Sequence, residues 1–565
     1  MLNRQTAASI DSQRVLRWMN SPLFHGALIA VCIAVVLAPT LDGFWGRDDF
    51  GCLATVRMIG SPWILFTQDH YPVAHSVFRP MGYFVMWLCV KLFGISYAPH
   101  AAFDLALHIG VSLALWRLLT RNDVPHVLST FCALIFALHP TVAGPVLWWS
   151  AKFDLLATLF TLVSLNAAFQ FRDRQTLSAL VATLSAGLAA MLSKEIGMIA
   201  VVGATLIWLH WLIRVPQYRR AALSAIALSW LSALVYMTWR WLVLGSFSSG
   251  ITGSVPLHDA FVRGVTNWLT QAAGYFTFLP RLESAESVIL VLCGGVLLTA
   301  FVVGLVASAN KDRPRFKGVL ILLGLCLIIC PIIVQAPIAA FASPLNDGFS
   351  AIEAGMQSRL YYLEIAGATI IAAALLEPFW RAQEKIRYAF AAALTIVVPT
   401  VAWASHADAT AYSKRSVEIS AVARSAVAAI QPLQLPPSQC HIVFLGYAPP
   451  PEWSIVVSMD SIVKALVPDI KKVKHCWIHS DVRTSFHLQA APTAYEDAAP
   501  FTPAVIDGRV APWHRAGKLV FAYLSQLNDS ALRGNPNTTF FMYRTDAFKD
   551  VTHDVAAGEF SFELK

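Results

Sequence analysis

The chain has 565 residues, of which 56% are hydrophobic and only 13% charged, and its formal net charge is +8. Soluble domains carry about 25% charged residues, so this composition argues against a fully water-soluble enzyme, a disordered chain or a nucleic-acid-binding protein. The 42 Lys and Arg residues lie between apolar stretches, a distribution typical of membrane topology. We therefore predict an α-helical polytopic membrane protein.

Uncharged stretches of about 20 residues, the length that crosses a bilayer, predict the spans. The clear stretches are 18–41, 124–151, 155–171, 175–193, 196–213, 221–239, 287–310, 318–346 and 388–407. Two weaker stretches carry charges, 101–119 with Asp104 and 359–377 with Glu364. Together they predict about 11 transmembrane helices.

Clusters of Lys and Arg occur at alternate connections between these stretches, and such clusters are retained in the cytoplasm. The N-terminus is then cytoplasmic. Stretch 18–41 is long and lacks a clean small-residue cleavage site, which favours a retained anchor over a signal peptide. An odd number of spans places the C-terminal part outside. We predict a multi-pass protein of the bacterial inner membrane with a periplasmic C-terminal domain.

The composition changes after residue 407. A Pro-rich segment at 432–439 is followed by helical patterns and by the strand-like runs CHIVFLGY, HCWIHS, KLVFAYLS and TTFFMYRT. The prediction is a transmembrane catalytic domain at 1–407, with a long first outer loop at 41–100, and a small soluble α/β domain at 408–565. Cys440 and Cys476 lie in the latter domain, where an oxidising compartment would allow a disulfide; the sequence leaves their pairing open.

The first outer loop is far longer than a connection requires, and long ordered loops are usually functional. Asp48 and Asp49 follow the first predicted span closely, so a carboxylate can stay near the lipid headgroups. Adjacent side chains do not share one direction, so one acid can act while its neighbour caps or orients. The alternative is that both simply satisfy backbone amides at a helix start, which local sequence alone favours.

Two further outer turns carry charges near helix ends, within FALHPTVAGPVLWWSAKFDLLATLF (136–160) and MLSKEIGM (191–198). The residues concerned are His139, Lys152, Asp154, Lys194 and Glu195. Interfacial anchoring or ion pairs between helices would explain each charge singly, although charges at this depth tend to be functional. Because these turns face the same side as the acidic loop, they suit a site for an anionic lipid-linked substrate whose phosphate the cations would hold.

The order of these motifs resembles that of the GT-C superfamily of integral-membrane glycosyltransferases. The motifs are the Asp48-Asp49 pair, Arg79-Pro80, FALHP followed by Lys-x-Asp-Leu-Leu, LSKE, and Arg-x-Tyr-Tyr at 359–362. The chain is most similar, over roughly 40–375, to the transmembrane O-mannosyltransferases that carry tetratricopeptide repeats and to their bacterial relatives. It departs from them at Gly144, where they usually have an acid, at Lys152, where they have Arg, and in lacking the repeats.

The resemblance implies an inverting transferase that moves a monosaccharide from a polyprenyl-phosphate donor to a hydroxyl of a cell-surface glycan, lipid A, lipopolysaccharide or protein. Asp48, with Asp49 as its rival, would take the proton of the acceptor. The candidates for binding the donor phosphate are Arg79, Lys152, Lys194, Arg359 and Tyr362. The supporting candidates are His139, Asp154 and Glu195. No metal is required, and a divalent ion near Asp48 and Glu195 is a lesser alternative.

Two other functional classes stay open. A flippase or transporter of lipid-linked sugars would have charges near the membrane midplane and broken helices in paired halves, and Asp104 and Glu364 fit that description. A non-catalytic scaffold would use 408–565 to bind a partner. The expected partners are membrane lipid, the donor and an acceptor, but no nucleic acid; the sequence does not identify the sugar or the acceptor.

Overall fold

The computed structural model describes residues 21–46, 48–67, 78–245, 258–259, 261–262, 264–266, 317–339, 358–382, 384–435, 440–445, 459–474, 476–480, 537–544 and 547–556. The predicted span 287–310 and the strand-like run KLVFAYLS lie outside these residues, as do parts of the predicted outer loop. Every candidate site residue lies within them.

Helices make up most of the described chain. As far as residue 245 they are α1 (Pro22–Val36), α2 (Asp48–Met58), α3 (Pro80–Phe93), α4 (Tyr97–Arg121), α5 (His126–Ala137), α6 (Pro140–Leu147), α7 (Lys152–Arg174), α8 (Leu177–Ser193), α9 (Ile199–Arg214) and α10 (Arg219–Leu244). They are followed by α11 (Gly318–Ala339), α12 (Tyr362–Ala382), α13 (Glu384–Ile419), α14 (Ala421–Ile430), α15 (Met459–Leu466) and α16 (Thr552–Ala556). Short 3₁₀ turns at Trp149–Ala151, Glu195–Met198 and Ser358–Tyr361 precede α7, α9 and α12.

Among the described residues, five helical segments are long and apolar enough to cross a membrane, or six if one bent pair counts as a span. They are Tyr97–Arg121, Trp149–Arg174, Glu195–Arg214, Pro216–Leu244 and Arg387–Ile430. Helices α1, α3 and α8 are apolar but shorter, and at about 1.5 Å per residue they fall short of roughly 30 Å of hydrocarbon. The mostly helical membrane fold is confirmed, whereas the number of 11 spans is not.

The stretch 124–151, predicted as one span, contains two helices, α5 and α6, that meet at 58°. Pro140 occupies the first turn of α6, where its missing N–H costs nothing, and the residue before a proline is disfavoured in helical conformation. His139 therefore leaves the helix and caps α6, its Nδ1 accepting from the backbone N–H of Thr141 at 3.2 Å. The His139-Pro140 dipeptide therefore determines where the bend occurs.

Helices α7 and α8 form an antiparallel hairpin. Gln175, in the left-handed conformation with φ of 52°, ends α7, and its N–H donates to the carbonyl of Phe171. Because the hairpin reverses the chain, the start of α7 at Lys152 and the end of α8 at Ser193 come to the same end of the bundle. We call this the site end, and the end that carries Gln175 the opposite end.

The C-terminal part contains a four-stranded sheet, in the order β2-β1-β3-β4, whose strands are β1 (His441–Leu445), β2 (Trp477–Ser480), β3 (Thr538–Arg544) and β4 (Ala547–Asp550). Strand β1 pairs in parallel with both β2 and β3, and β4 runs antiparallel to β3. Three strand-like runs of the sequence are thus confirmed as strands. Cys440 and Cys476 form a disulfide just before β1 and β2, which answers the pairing left open above.

The described chain has a large apolar core among the bundle helices and a second core at the site end. The second core contains Phe50 and Leu53 of α2, Trp149, and Ile442 and Ile462 of the C-terminal part. Helix α13 runs unbroken through residue 407, so the division at 407/408 stays a prediction. The sheet, α14 and α15 will be called the C-terminal module.

Candidate active site

Asp49 ties the start of α2 to the chain before α7. Its Oδ1 accepts from the backbone N–H of Ser150 at 2.8 Å and from the Ser150 hydroxyl at 2.7 Å, and its Oδ2 accepts from the N–H of Gly46 at 3.1 Å. The side chain is buried, and this desolvation raises the pKa of the Asp49 carboxyl to about 7. The adjacent Asp48 is half-buried in the first turn of α2, so the two acids occupy different environments.

Two lysines at the site end form ion pairs with carboxylates on other helices. Lys152, the first residue of α7, pairs with Asp104 of α4, and the Lys152 side chain is completely buried. Lys194, just after α8, pairs with Asp154 of α7, and only 6% of each side chain is exposed. Two oppositely charged groups in such surroundings stabilise one another, but neither can be left alone without a large desolvation cost.

Glu195 is shared by two arginines. Its Oε2 accepts from Nε and Nη2 of Arg79 at 3.0 and 2.9 Å, and its Oε1 accepts from Nη1 of Arg240 at 3.2 Å. About a quarter of the Glu195 side chain remains exposed. One carboxylate therefore faces two guanidinium groups.

Arg359 and Tyr362 come from the turn that opens α12. The Arg359 guanidinium lies 4.1 Å from the ring centroid of Trp148, a cation–π contact, and the side chain is half-buried. No carboxylate of the described residues lies within ion-pair distance of Arg359. The Tyr362 hydroxyl is buried and hydrogen-bonds to Nδ1 of His108 at 2.7 Å.

The segment 148–154 connects all these groups. Its contacts are Trp148 with Arg359, Ser150 with Asp49, Lys152 with Asp104, Phe153 with Arg79 at 5.4 Å from the ring centroid, and Asp154 with Lys194. Arg79 and Arg359 also lie within electrostatic reach of Lys194. The Asp pair, the two outer turns and the Arg-x-Tyr-Tyr motif therefore lie around one short segment, although residues 48 and 362 are more than 300 residues apart in the chain.

Gly82 and Gly197 allow this close assembly. A Cβ at Gly82 would lie 2.2 Å from the ring of Phe153, and a Cβ at Gly197 would lie 2.1 Å from the carbonyl carbon of Ala190. Real Cβ atoms do not approach other atoms this closely. Glycine at 197 thus lets the turn that carries Glu195 fold back against the end of α8.

The group has more positive than negative charge. Its five cations are Arg79, Lys152, Lys194, Arg240 and Arg359, and its three paired carboxylates are Asp104, Asp154 and Glu195. These eight residues sum to two positive charges, which Asp48 and Asp49 offset when both are ionised. Exposure is uneven, because the Lys152 ammonium is completely buried while Arg359 and Asp48 are only half-buried.

The alternative reading of the charged turns as ion pairs between helices is present in the structure, yet the partners could not be assigned from sequence. The site candidates chosen from sequence did not include four of these partners, namely Asp104, Ser150, His108 and Arg240. The signal for Asp104 was its charge within an apolar helix, which in a membrane requires a partner. Ser150 and Arg240 left no comparable signal.

The predicted donor-phosphate role of Lys152 stays a prediction, and its complete burial makes it the least accessible of the five cations. His139 caps α6, and its supporting role at the site stays a prediction. Within the described part of the chain, no group of three or more His, Cys, Asp or Glu residues could hold a metal ion. A divalent ion near Asp48 and Glu195 also stays a prediction.

The described geometry defines a polytopic membrane protein with a buried charge cluster at one end of its helix bundle. No family model and no curated protein sequence matches the chain. Among solved structures, ArnT from Cupriavidus metallidurans bound to undecaprenyl phosphate is similar, with 14% identity over 91% of this chain and 92% of that chain, at a TM-score of 0.49.

The oligosaccharyltransferase of Archaeoglobus fulgidus is also similar. Its complex with Zn and sulfate shares 14% identity over 77% of this chain and 61% of that chain, with a TM-score of 0.40. AglB of the same organism, in complex with an inhibitory peptide and a dolichol-phosphate, shares 12% identity over 78% of this chain and 63% of that chain, also at 0.40. At 12–14% identity and TM-scores below 0.5, no family and no residue role is carried over from them to this chain.

Proposed function

We propose that the chain is an inverting glycosyltransferase that moves a monosaccharide from a polyprenyl-phosphate donor to a hydroxyl acceptor at the outer face of the membrane. One observation carries the proposal: a half-buried carboxylate, Asp48, lies at the site end together with a cluster of five cations, in which Arg359 has no carboxylate partner among the described residues. A base and an anion-binding group are the two functions that this reaction needs from a protein.

Asp48 is the proposed general base. As the acceptor oxygen attacks the anomeric carbon, its proton passes to the Asp48 carboxylate, and the bond between that carbon and the phosphate oxygen breaks, with both electrons leaving on the phosphate. Attack from the face opposite the leaving group inverts the anomeric centre. Asp49 is less suited to this step, because its carboxyl is buried and holds Ser150 and Gly46 in place, whereas Asp48 is only half-buried.

The clustered cations suit the change of charge on the donor. A polyprenyl-phosphate sugar is a phosphodiester with one negative charge, and the departing polyprenyl phosphate carries up to two. Cations that are fixed in place before the reaction stabilise the charge that develops in the transition state more than the charge of the ground state. No general acid is then needed for departure of the phosphate.

Among the cations, Arg359 and Arg79 are the proposed phosphate ligands. Arg359 has no described carboxylate partner, and Arg79 shares Glu195 with Arg240. Both present planar guanidinium groups suited to phosphate oxygens. Lys194 lies nearby and is proposed to contribute charge, whereas Lys152 and the hydroxyl of Tyr362 support the site from within the bundle.

The disulfide between Cys440 and Cys476 supports the proposed orientation. Disulfides persist in oxidising compartments such as the bacterial periplasm and are rare in the cytosol. The C-terminal module would then lie outside the inner membrane together with the site end. The arginines of the opposite end would be cytoplasmic, as the distribution of positive charge favours.

The test is turnover of a polyprenyl-phosphate sugar by purified protein in lipid nanodiscs, with mass spectrometry of the product. Asp48→Asn should lower kcat about 10²- to 10⁴-fold, the usual contribution of a positioned base, while binding of polyprenyl phosphate is kept. Asp42→Asn is the matched control, because Asp42 is an exposed acid six residues away. Wild-type turnover by Asp48→Asn would refute the assignment of the base.

A transporter of lipid-linked sugars is the second candidate. The bend between α5 and α6 favours it, since broken helices mark the binding sites of many transporters. Proteoliposomes loaded with donor but no acceptor would separate the two functions. Translocation of intact donor, insensitive to Asp48→Asn, would favour transport, whereas release of polyprenyl phosphate only when acceptor is present would favour transfer.

A further inference from the structure

The helix that carries the proposed base is held by the C-terminal region at both ends. Before the helix, the backbone N–H of Phe44 donates to the hydroxyl of Ser416 in α13 at 2.9 Å. At the other end, Arg57 in the last turn of α2 reaches α15 of the C-terminal module. More than 350 residues of chain separate each of these pairs, so the contacts are tertiary and not consequences of local folding.

Arg57 makes an unusually complete set of contacts. Its Nη1 donates to the carbonyl oxygens of Lys464 and Ala465 at 3.1 and 2.6 Å, and its Nη2 donates to those of Val467 and Pro468 at 2.7 and 3.1 Å. The last carbonyls of a helix lack partners within the helix and carry the negative end of its dipole. One guanidinium therefore caps the C-terminus of α15 and joins it to α2.

Helix α15 is itself firmly placed. All eight of its residues are buried, and it contains an ion pair between Asp460 and Lys464 at 2.6 Å. It packs against α2, α14 and β2, within the second apolar core that also includes both disulfide cysteines. The packing of α15 therefore holds the carbonyl groups that Arg57 contacts in a fixed position.

We infer that Arg57 is a positioning residue for the transfer reaction, through which the C-terminal module fixes the axial and rotational position of α2 and so aims Asp48 at the acceptor. This inference rests on the proposed function, because it takes Asp48 as the base. The reasoning is geometric: α2 has 11 residues, so it is only about 16 Å long. Movement at Arg57 is transmitted along a rigid helix to residue 48.

The planar geometry of the guanidinium group allows a specific prediction for the Arg57→Lys variant. A lysine keeps the positive charge at position 57, but its ammonium is a compact group on a flexible chain and cannot reproduce a planar fork that reaches four carbonyls. Arg57→Lys should therefore loosen α2 without removing the charge. Misplacement of a catalytic group by about 1 Å can lower a rate a hundredfold.

The experiment compares wild type, Arg57→Lys and Arg415→Lys as full-length proteins in nanodiscs. Arg415 lies near the C-terminal end of α13 and forms an exposed ion pair with Glu418 at 3.4 Å; water and salt screen such a pair, so replacement of Arg415 by lysine should change nothing measured here. Two readouts are taken: hydrogen exchange of the amides of α2 and α7, and kcat and KM for a polyprenyl-phosphate sugar.

For Arg57→Lys we expect exchange in α2 to rise roughly tenfold with α7 unchanged, and kcat to fall roughly tenfold or more while KM for the donor stays within about twofold. Exchange and kcat equal to those of Arg415→Lys would overturn the inference. A rise in α7 as well would show that Arg57 serves general stability and would also overturn it. Because exchange needs no turnover, failure of the proposed function, judged by Asp48→Asn, is read separately.

Discussion

The two ends of the helix bundle are both charged, but they use their charges differently. At the site end, the ion pairs join distant parts of the chain: Lys152 to Asp104 over 48 residues, Lys194 to Asp154 over 40, and Arg79 to Glu195 over 116. The two lysine pairs are buried, and the Arg79–Glu195 pair is mostly buried. At the opposite end, the described pairs are more exposed, and several are local. Those are Arg172 with Asp173, Arg381 with Glu377 and Arg387 with Glu384.

This difference separates two roles of charge in a membrane protein. Exposed arginines at a helix end set topology and contribute little to stability, because water and salt screen them. A buried pair stabilises a specific arrangement only as long as both partners are present. At the site end, several such pairs lie around one segment, 148–154. There the charges fix the relative positions of the helices, whereas the exposed charges at the opposite end set topology.

The largest effect should come from breaking one buried pair. Asp104→Ala leaves the Lys152 ammonium uncompensated in a fully buried position, and we expect the free energy of unfolding to fall by about 3–5 kcal/mol. Arg172→Ala at the opposite end, whose partner Asp173 is exposed, should cost at most about 1 kcal/mol. Unfolding by SDS titration in mixed micelles measures both.

A second variant shows whether the charges or the packing matter at this pair. Replacing both partners, as Asp104→Leu with Lys152→Met, removes the uncompensated charge and should recover most of the lost stability. If the single and double variants are equally unstable, the site end differs from the opposite end by packing and not by charge.

The sequence indicated where the charged residues lie but not which of them form ion pairs. The charged turns at 136–160 and 191–198 were located correctly, because charge in an apolar stretch is conspicuous. Their partners were not, since residues two apart on a helix do not face each other, and Lys152 therefore reaches α4 and not Asp154. Which helix lies opposite is decided by packing of the whole bundle, which one sequence does not specify.

The C-terminal module shows the same limit. Its strands followed from β-branched and aromatic runs, and β1 is indeed buried along its whole length. The packing of α15 on α2 could not be predicted, because Arg57 is a single arginine in the predicted outer loop and its acceptors are backbone carbonyls, which every residue has.

An intermediate effect is expected at the turn between α8 and α9. Gly197→Ala would place a Cβ against the backbone of Ala190 at the end of α8, and overpacking of this kind costs typically 1–3 kcal/mol, sometimes more. Turnover should fall too, because Glu195 and its two arginines move with the turn. Gly60→Ala, where nothing lies within 4 Å of the added carbon, is the control; equal stability of the two variants would mean that the turn can relax.

The last prediction concerns pH and tests whether burial at the site end extends to Asp49. Burial raises its pKa to about 7 in the folded chain, against about 3.9 for an unfolded aspartate. Between these values the folded chain holds a proton that the unfolded chain releases, so stability falls as pH rises from about 4 to about 7 and is level above. The thermal midpoint of the wild type should decline over this window.

Asp49→Asn removes that titration. Its amide keeps an acceptor for Ser150 but presents a donor to the Gly46 N–H, so we expect a lower midpoint at acid pH. The decline towards neutral pH should be flatter than in the wild type. Asp173→Asn, at the exposed opposite end, should follow the wild-type curve. Parallel curves for the wild type and Asp49→Asn would show that the Asp49 carboxylate is already ionised at acid pH, and that its bonds to Ser150 and Gly46 outweigh its burial.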